Sequence, residues 1–376
     1  MKLRGTHGTA IVHTDDIESE ATRQIIQVLD QSWADGSNVR IMPDCHSGKG
    51  CVIGYTARLG GRVVPNLIGV DIGCGVRAWN LGRRPLSARD FEALDAFIKN
   101  RIPCGMGGVH AEPVSPCGAD VEHISRRTGS RKRPDYLGYV RRSVGTLGGG
   151  NHFIEVDLDD GGCAWLVVHS GSRNFGSRVA EHHQEIARRA TRGAPSGLEY
   201  LEGDARQAYL DDMEVAQRYA SRNRATMGRI ILGDFFGMDA DALASIESVH
   251  NYISFEDGIV RKGAISANTG EKVIIPLNMA DGIVVGTGKG NPEWNSSAPH
   301  GAGRRLSRTA AKATIPLEEF ERVMKESGVW TSTANRTTLD EAPQAYKDSD
   351  TIIRYLADTV DIEVRMKPVY NFKAAE

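Results

Sequence analysis

Long apolar runs are missing from this 376-residue chain: no stretch reaches the ~20 consecutive apolar residues of a membrane-spanning helix, and the opening MKLRGTHGTAIVHTDD has no apolar leader core. A cytoplasmic protein with no membrane partner is expected. Paired cysteines are missing too. Cys45, Cys51, Cys74, Cys104, Cys117 and Cys163 lie far apart without a CxxC, which argues against a disulfide framework and leaves each thiol free to be a core residue or a metal ligand. Neither sign of charge is in excess. Lys+Arg number 46 against 48 Asp+Glu, so a histone-like wrapper is excluded, although a local basic run can still hold phosphates. With 40% hydrophobic and 25% charged residues the chain is not disordered, and its length allows one large core or two domains. Glycine alone is abundant, at 42 residues against the roughly 7% usual in proteins, with no G-X-Y period. Those glycines belong in turns.

Apolar spacing predicts helices over 15–33, with Ile17, Ala21, Ile25, Val28, Leu29 and Trp33 on one face, and over 87–100, opened by a Ser87/Asp90 capping box. Further helices are expected over 199–224, after Pro316, and over 348–358. Short β-branched runs predict strands at 39–42, 52–56, 76–79, 153–156, 165–168, 272–275, 283–286 and 361–366. There is no regular β-α-β alternation and no repeat, so the fold class expected is α+β, mixed sheets with surrounding helices. Residues 103–142, rich in Gly, Pro and Arg, read as a soft joint or loop. Within it, Glu122–Arg142 holds seven Lys/Arg against two acidic residues. Such a run positions a nucleic-acid backbone only if it borders phosphate chemistry, and Arg304, Arg305, Arg308 and Lys312 near His300 are compatible with that.

Four glycine-punctuated segments end in candidate ligands: GVDIGCG with Asp71 and Cys74, GGGNH with His152, VHSGSR with His169, and VHNY with His250. Glycines let backbone approach a ligand closely, and a strand end presents a side chain rigidly. A thiolate can bridge two ions, so five ligands suit two metals sharing Cys74 better than one closed tetrahedral site. Thiolate and imidazole favour Zn²⁺; the carboxylate and an open position also admit Mn²⁺. The segment NSSAPHGAGR places His300 before a small-residue turn, a phosphate cradle with a candidate nucleophile beside it. The segment MPDCHSGKG lacks Walker A spacing and is not read as a phosphate loop.

Taken in order, MPDCHSGKG, GVDIGCGV, GTLGGGNHFIE, HSGSR, HNY, GNPEWNSSAPHGAGR and AYKDSD, with NFK near the end, make the chain resemble the RtcB-type RNA ligases over nearly its whole length. The resemblance implies a single RtcB-like catalytic core over residues 1–376. It also implies joining of RNA 3′-phosphate or 2′,3′-cyclic phosphate ends to 5′-hydroxyl ends, with GTP and two Mn²⁺ ions, as in RNA repair or tRNA splicing. Asp71, Cys74, His152, His169 and His250 match the family's metal ligands, and His300 the histidine that becomes guanylylated. Asn151, Phe153, Ile154, Glu155, Asn251, Gly301, Ala302, Gly303 and Lys373 fall on guanylate-binding positions. So does the loop Pro276, Leu277, Asn278 and Met279, where the family usually has Pro-Gly-Ser-Met, and a later family serine is Ile283. That change puts bulk where backbone access is expected and leaves nucleotide preference open. The shorter 76–145 region suggests a bacterial branch associated with a release-factor homologue or the ribosome. Two alternatives stay open, a metal-dependent cyclic-phosphate phosphohydrolase and a non-catalytic RNA- or ribosome-binding relative. Cys45 and Cys51 read as structural, His182 and His183 as surface residues, and His46, His110 and His123 have no assigned role.

Overall fold

A computed structural model describes residues 1–105, 107–129 and 133–374. The expected α+β class holds. One sheet has seven antiparallel strands in the order Lys272–Asn278, Gly282–Gly288, Val360–Lys373, Phe153–Leu158, Cys163–Ser170, Gly75–Arg83 and Ser245–Val249. Its strands Gly75–Arg83, Phe153–Leu158 and Cys163–Ser170 are buried on both faces, which is why they read as nearly continuous apolar runs. Val76, Phe153, Val167 and Ile283 fill one side, while Ile154, Leu166, Val168 and Phe372 fill the other.

The second sheet runs Lys2–Arg4, Thr9–Val12, Val39–His46, Ile53–Arg58, Ile259–Lys262, Asn251–Ile253. Only Thr9–Val12 and Val39–His46 pair in parallel, joined by helix Ser19–Leu29, whose Ala21, Ile25, Val28 and Leu29 pack on Ala10, Val12 and Ile41. This helix is shorter than the expected 15–33. Asp16 N–H bonds Thr14 Oγ1 in a turn, and a separate 3-10 turn covers Ser32–Ala34. Ser87 and Asp90 form the expected capping box on helix Ala88–Arg101.

The expected helix over 199–224 is helix Gly203–Ile230, which runs on because its two halves serve different cores. Tyr209, Met213 and Tyr219 pack beside the six-stranded sheet, whereas Met227, with Ile231 and Leu232 just beyond, packs under the seven-stranded one.

Residues 103–142 are not a loop throughout. Helices Ala119–Thr128 and Tyr136–Ser143 occupy much of the segment, with Val121, Ile124, Tyr139 and Val140 in the core. Dense arginines hid that apolar spacing, and many of them are ion-paired: Arg127 with Asp212, Arg141 with Glu122 at 2.6 Å, Arg142 with Asp135 at 3.2 Å. Arg131 and Lys132 of the basic run lie outside the described residues. His183 is not a surface residue either. It is 2% exposed on helix Arg173–Ala190, with Nε2 2.6 Å from Asp212 Oδ2. His182 is half-buried, and Cys45 and Cys51 are buried core residues as expected. Among the described residues, no helix is long and apolar enough to cross a membrane.

Gly73 shows how tightly the first ligand turn is docked. Its φ is +72°, and a Cβ there would lie 2.9 Å from Gln217 Cα on the long helix. Gly73→Ala is therefore expected to cost about 1–3 kcal/mol, read as a lowered urea midpoint, through left-handed strain and overpacking together.

Candidate active site

Register brings the ligand segments to one end of the seven-stranded sheet. Gly75 lies opposite both Ser170 and Val249, and Phe153 lies opposite both His169 and Lys373. Residues just beyond those strand ends therefore face a common point. Cys74 Sγ is 3.3 Å from His169 Nε2 and 3.6 Å from His152 Nε2; His169 Nε2 is 3.4 Å from His250 Nε2, and His152 Nε2 is 3.1 Å from Asp71 Oδ2. Two sets of donor atoms result, Cys74/His169/His250 and Asp71/Cys74/His152, each within 4.8 Å and sharing the Cys74 sulfur. Glycine makes room here as well. A Cβ on Gly171 would sit 2.1 Å from Asp71 Oδ1, the oxygen that accepts the Ser172 N–H at 3.2 Å.

The far side of each ring is anchored. Leu147 O lies 2.8 Å from His152 Nδ1, and Asn151 O lies 3.1 Å from His169 Nδ1. A carbonyl can only accept, so each Nδ1 donates; His169 is left with its Nε2 lone pair facing Cys74, while His152 Nε2 points at Cys74 and donates to Asp71 Oδ2. Burial lowers His169 and His250 well below the ordinary imidazole value, keeping both neutral. Burial would raise the Asp71 carboxyl, but the bond from His152 prevails and holds it down at about 2. Burial, then the Asp71 charge, pushes the Cys74 thiol well up. A divalent cation would reverse that last shift, because a coordinating thiol deprotonates. The donor set, its inward ring nitrogens and its anchored rings fit the binding of divalent metal.

His300 stands beside this cluster, its ring centroid 5.0 Å from that of His250. It follows Ser297–Pro299, which pairs with Ala264–Ser266. Its Nδ1 is 2.6 Å from Asp44 Oδ2, which also accepts the His300 backbone N–H at 3.1 Å. Asp44 is fully buried in strand Val39–His46 of the other sheet. The pairing leaves His300 Nε2 as the free nitrogen.

A cavity of about 280 Å³ opens over His300 and the Cys/His/Asp cluster. Asn151, Phe153, Glu155, Asn251 and Lys373 line one part of it, and Gly301, Ala302 and Gly303 another. Pro276, Leu277, Asn278 and Met279 close a third side. Ile154 does not reach it, because strand alternation sends that side chain into the opposite face of the sheet. His152 is absent from the cavity wall and sits behind Cys74. Asn278 faces the cavity with its amide already engaged: Nδ2 donates to Asp281 Oδ2 at 2.7 Å, and Oδ1 accepts from Ala280 and Asp281 N–H groups. Ile283 packs in the sheet with Val76 and Val285.

Charge in the cavity is compensated at close range. Lys373 Nζ lies 3.4 Å from Glu341, donates to Asn151 O at 3.3 Å and sits 4.6 Å over the Phe153 ring. Glu341 and Asp340, each 2% exposed, also take Arg304, Arg308 and Lys312, so those three cations are engaged inward as well as basic. Glu155 accepts from Asn371, and burial beside Asp157 raises both carboxyls.

Sequence reasoning missed Asp44, His46, Asp340, Glu341 and Asn371. For Asp44 and His46 a signal is present, an acid and a histidine two apart ahead of a glycine turn, but the segment reads as a motif of the resemblance and as a failed phosphate loop, with no role for either side chain. For Asp340 and Glu341 no local signal exists, since their partners are distant in sequence. Lys262, 3% exposed, donates to Lys49 O, Cys51 O and Asn66 O at 2.6, 3.0 and 3.0 Å, tying the loop after Asp44 to the one before Asp71.

Residues 24–374 match the family model described as tRNA-splicing ligase RtcB. Similar proteins include the RNA-splicing ligase RtcB of Escherichia coli K12, 30% identical over 95% of both chains. Others are the tRNA-splicing ligases RtcB of Aeropyrum pernix, 28% identical over 96% of this chain and 94% of the relative, and of Thermococcus kodakarensis, 27% identical over 88% and 86%.

Burial lowers the Lys262 ammonium from 10.5 to about 8, so between those values the unfolded chain binds more protons than the folded one and stability rises with pH. Buried thiols and phenols such as Cys51 and Tyr55, whose values burial raises, pull the other way over the same window, so the Lys262 contribution is read as a difference. The urea midpoint of Lys262→Met should change less favourably with rising pH than that of the wild type, and equal slopes would refute the shift.

Proposed function

The chain belongs to the tRNA-splicing ligase RtcB family, and on that premise we propose that it is an RNA ligase joining 3′-phosphate or 2′,3′-cyclic phosphate ends to 5′-hydroxyl ends through a guanylylated His300. The observation that carries this reading is the Asp44–His300 pair, 2.6 Å apart, beside a buried Cys/His/Asp cluster. An imidazole whose Nδ1–H is held by a buried carboxylate has one nucleophilic nitrogen, and that carboxylate stabilises the positive charge the ring acquires on attack.

The order of bond changes follows. His300 Nε2 attacks the α-phosphate of GTP and pyrophosphate leaves. Gly301, Ala302 and Gly303, small residues after the nucleophile, leave room for phosphate oxygens near backbone. Glu155 and Lys373 would read the base, the carboxylate accepting from guanine donors and the ammonium donating to its carbonyl oxygen. A cyclic RNA end is opened by water to a 3′-phosphate, whose oxygen then takes GMP from His300 and returns the ring to its neutral form. The 5′-hydroxyl attacks the activated phosphate, GMP departs and a 3′,5′-phosphodiester remains. Asp71, Cys74, His152, His169 and His250 would hold two divalent cations, Mn²⁺ by the family resemblance, which withdraw charge from the phosphoryl oxygens. The helices around 119–143 lead straight into the loop that ends at His152, and their solvent-facing arginines, such as Arg126 at 71% side-chain exposure, are suited to hold RNA backbone. A release-factor homologue or the ribosome would be its partner.

The test is intact mass after incubation with GTP and Mn²⁺, followed by a chase with RNA bearing a 3′-phosphate. Wild type should gain one GMP and lose it to the RNA, while His300→Ala gains none. Asp44→Asn should acquire the adduct about 10²–10⁴-fold more slowly. Opening of cyclic phosphate with no adduct would point instead to the phosphohydrolase, and RNA binding without turnover to the non-catalytic relative.

A further inference from the structure

Asn223 and Arg224 are both fully buried in the middle of the long helix Gly203–Ile230, where the packing passes from one hydrophobic core to the other. Their polar groups do not cap the helix or serve each other. Arg224 Nη2 has no hydrogen-bond partner among the described residues, and the other groups reach outward to the segments that present the metal-ligand candidates.

Arg224 Nη1 donates to Gly73 O and to Ser170 O, both at 2.7 Å. Gly73 precedes Cys74, and Ser170 follows His169. Arg224 Nε donates to Glu247 Oε1 at 2.7 Å, in the strand that delivers His250. Asn223 Oδ1 accepts the backbone N–H groups of Gly145 and Thr146 at 2.8 and 3.0 Å, at the start of the loop that ends in His152. Its Nδ2 donates to Thr146 O, Ser170 Oγ and Gly171 O at 3.1 to 3.2 Å. Ser170 Oγ in turn donates at 2.9 Å to Leu147 O, the same carbonyl that orients His152.

We propose that Asn223 and Arg224 are positioning residues of the metal centre, holding in register, through backbone groups and the side chains of Ser170 and Glu247, the four segments that carry Asp71 and Cys74, His152, His169 and His250. The proposal rests on reading those five residues as metal ligands. Two features separate this role from plain core packing. Arg224 is fully buried and its partner Glu247 half-buried, and such a pair is a poor source of stability compared with apolar residues of the same volume, so its value lies in fixing geometry. And the contacts go to residues one position from Cys74 and from His169, where a small displacement moves the ligand atom itself.

The experiment compares full-length wild type with Arg224→Lys, which keeps the charge but loses the fork, and Asn223→Ser, which shortens the amide out of reach. Tyr219→Phe is the control, because it removes a buried hydrogen bond to Val140 O from the same helix without touching a ligand segment. Mn²⁺ affinity is read from the free-ion EPR signal, ligand geometry from the absorption of the Co²⁺-loaded protein, and folding from the melting temperature without metal. Arg224→Lys and Asn223→Ser should each weaken Mn²⁺ binding about 10–100-fold and alter the Co²⁺ spectrum. Tyr219→Phe should lower only the melting temperature. Should Arg224→Lys fail to fold, Asn223→Ser decides alone. Wild-type affinity and spectrum in the folded variants would overturn the positioning role and leave the metal centre standing. A wild type that binds no Mn²⁺ or Co²⁺ would remove the metal centre itself, and the positioning role with it.

Discussion

Five donor atoms that would repel or desolvate one another are held within a few ångströms, and the means is antiparallel register. Gly75 faces Ser170 on one side and Val249 on the other, so the residues next to those positions have no choice but to converge. A slip of one residue in any of these pairings would turn a ligand away and send an apolar side chain to the wrong face. The doubly buried strands make such a slip costly, because each apolar side chain moved out of the core forfeits roughly 1.5–3 kcal/mol. Packing of Val167 and Val168 on opposite faces thus fixes where His169 points.

The second constraint is that His300 and the carboxylate that orients it belong to different layers. His250 lies where the chain leaves the seven-stranded sheet after Val249 and enters the six-stranded sheet at Asn251. Its carbonyl accepts the Gly263 N–H at 2.6 Å, stitching that crossing to the strand carrying Lys262. Asp44 then reaches His300 across the same seam. Buried charges near the seam are matched locally, cation to carboxylate around Glu341 and ammonium to carbonyl dipoles at Lys262. The cavity keeps its charged groups only because those partners are in place.

Much of this was legible in the chain itself. The five ligand candidates and His300 announce themselves because glycines flank them, and the structure brings all six together. The resemblance supplied the cavity-lining residues, with Ile154 the exception that strand alternation would have caught. What stayed hidden depends on partners far away in sequence. Asp44 acquires meaning only beside His300, 256 positions on, and Glu341 only beside Arg304, Arg308 and Lys373. The arginine-rich helices and buried His183 were obscured for a related reason: a polar residue compensated by tertiary contact looks like a solvated one when its partner is unseen.

Strand Val360–Lys373 occupies the middle of the seven-stranded sheet, pairing with Gly282–Gly288 on one side and Phe153–Leu158 on the other. During synthesis it is made after all the other strands of that sheet. Until it emerges from the ribosome, Phe153–Leu158 and Gly282–Gly288 have open edges, and Lys373 has not reached the cavity. A nascent chain therefore holds its ligand segments without a finished sheet to align them. Competence to act on nucleic acid is deferred until this strand has been made, and a chain cut short before it would carry His300 without the finished sheet around it.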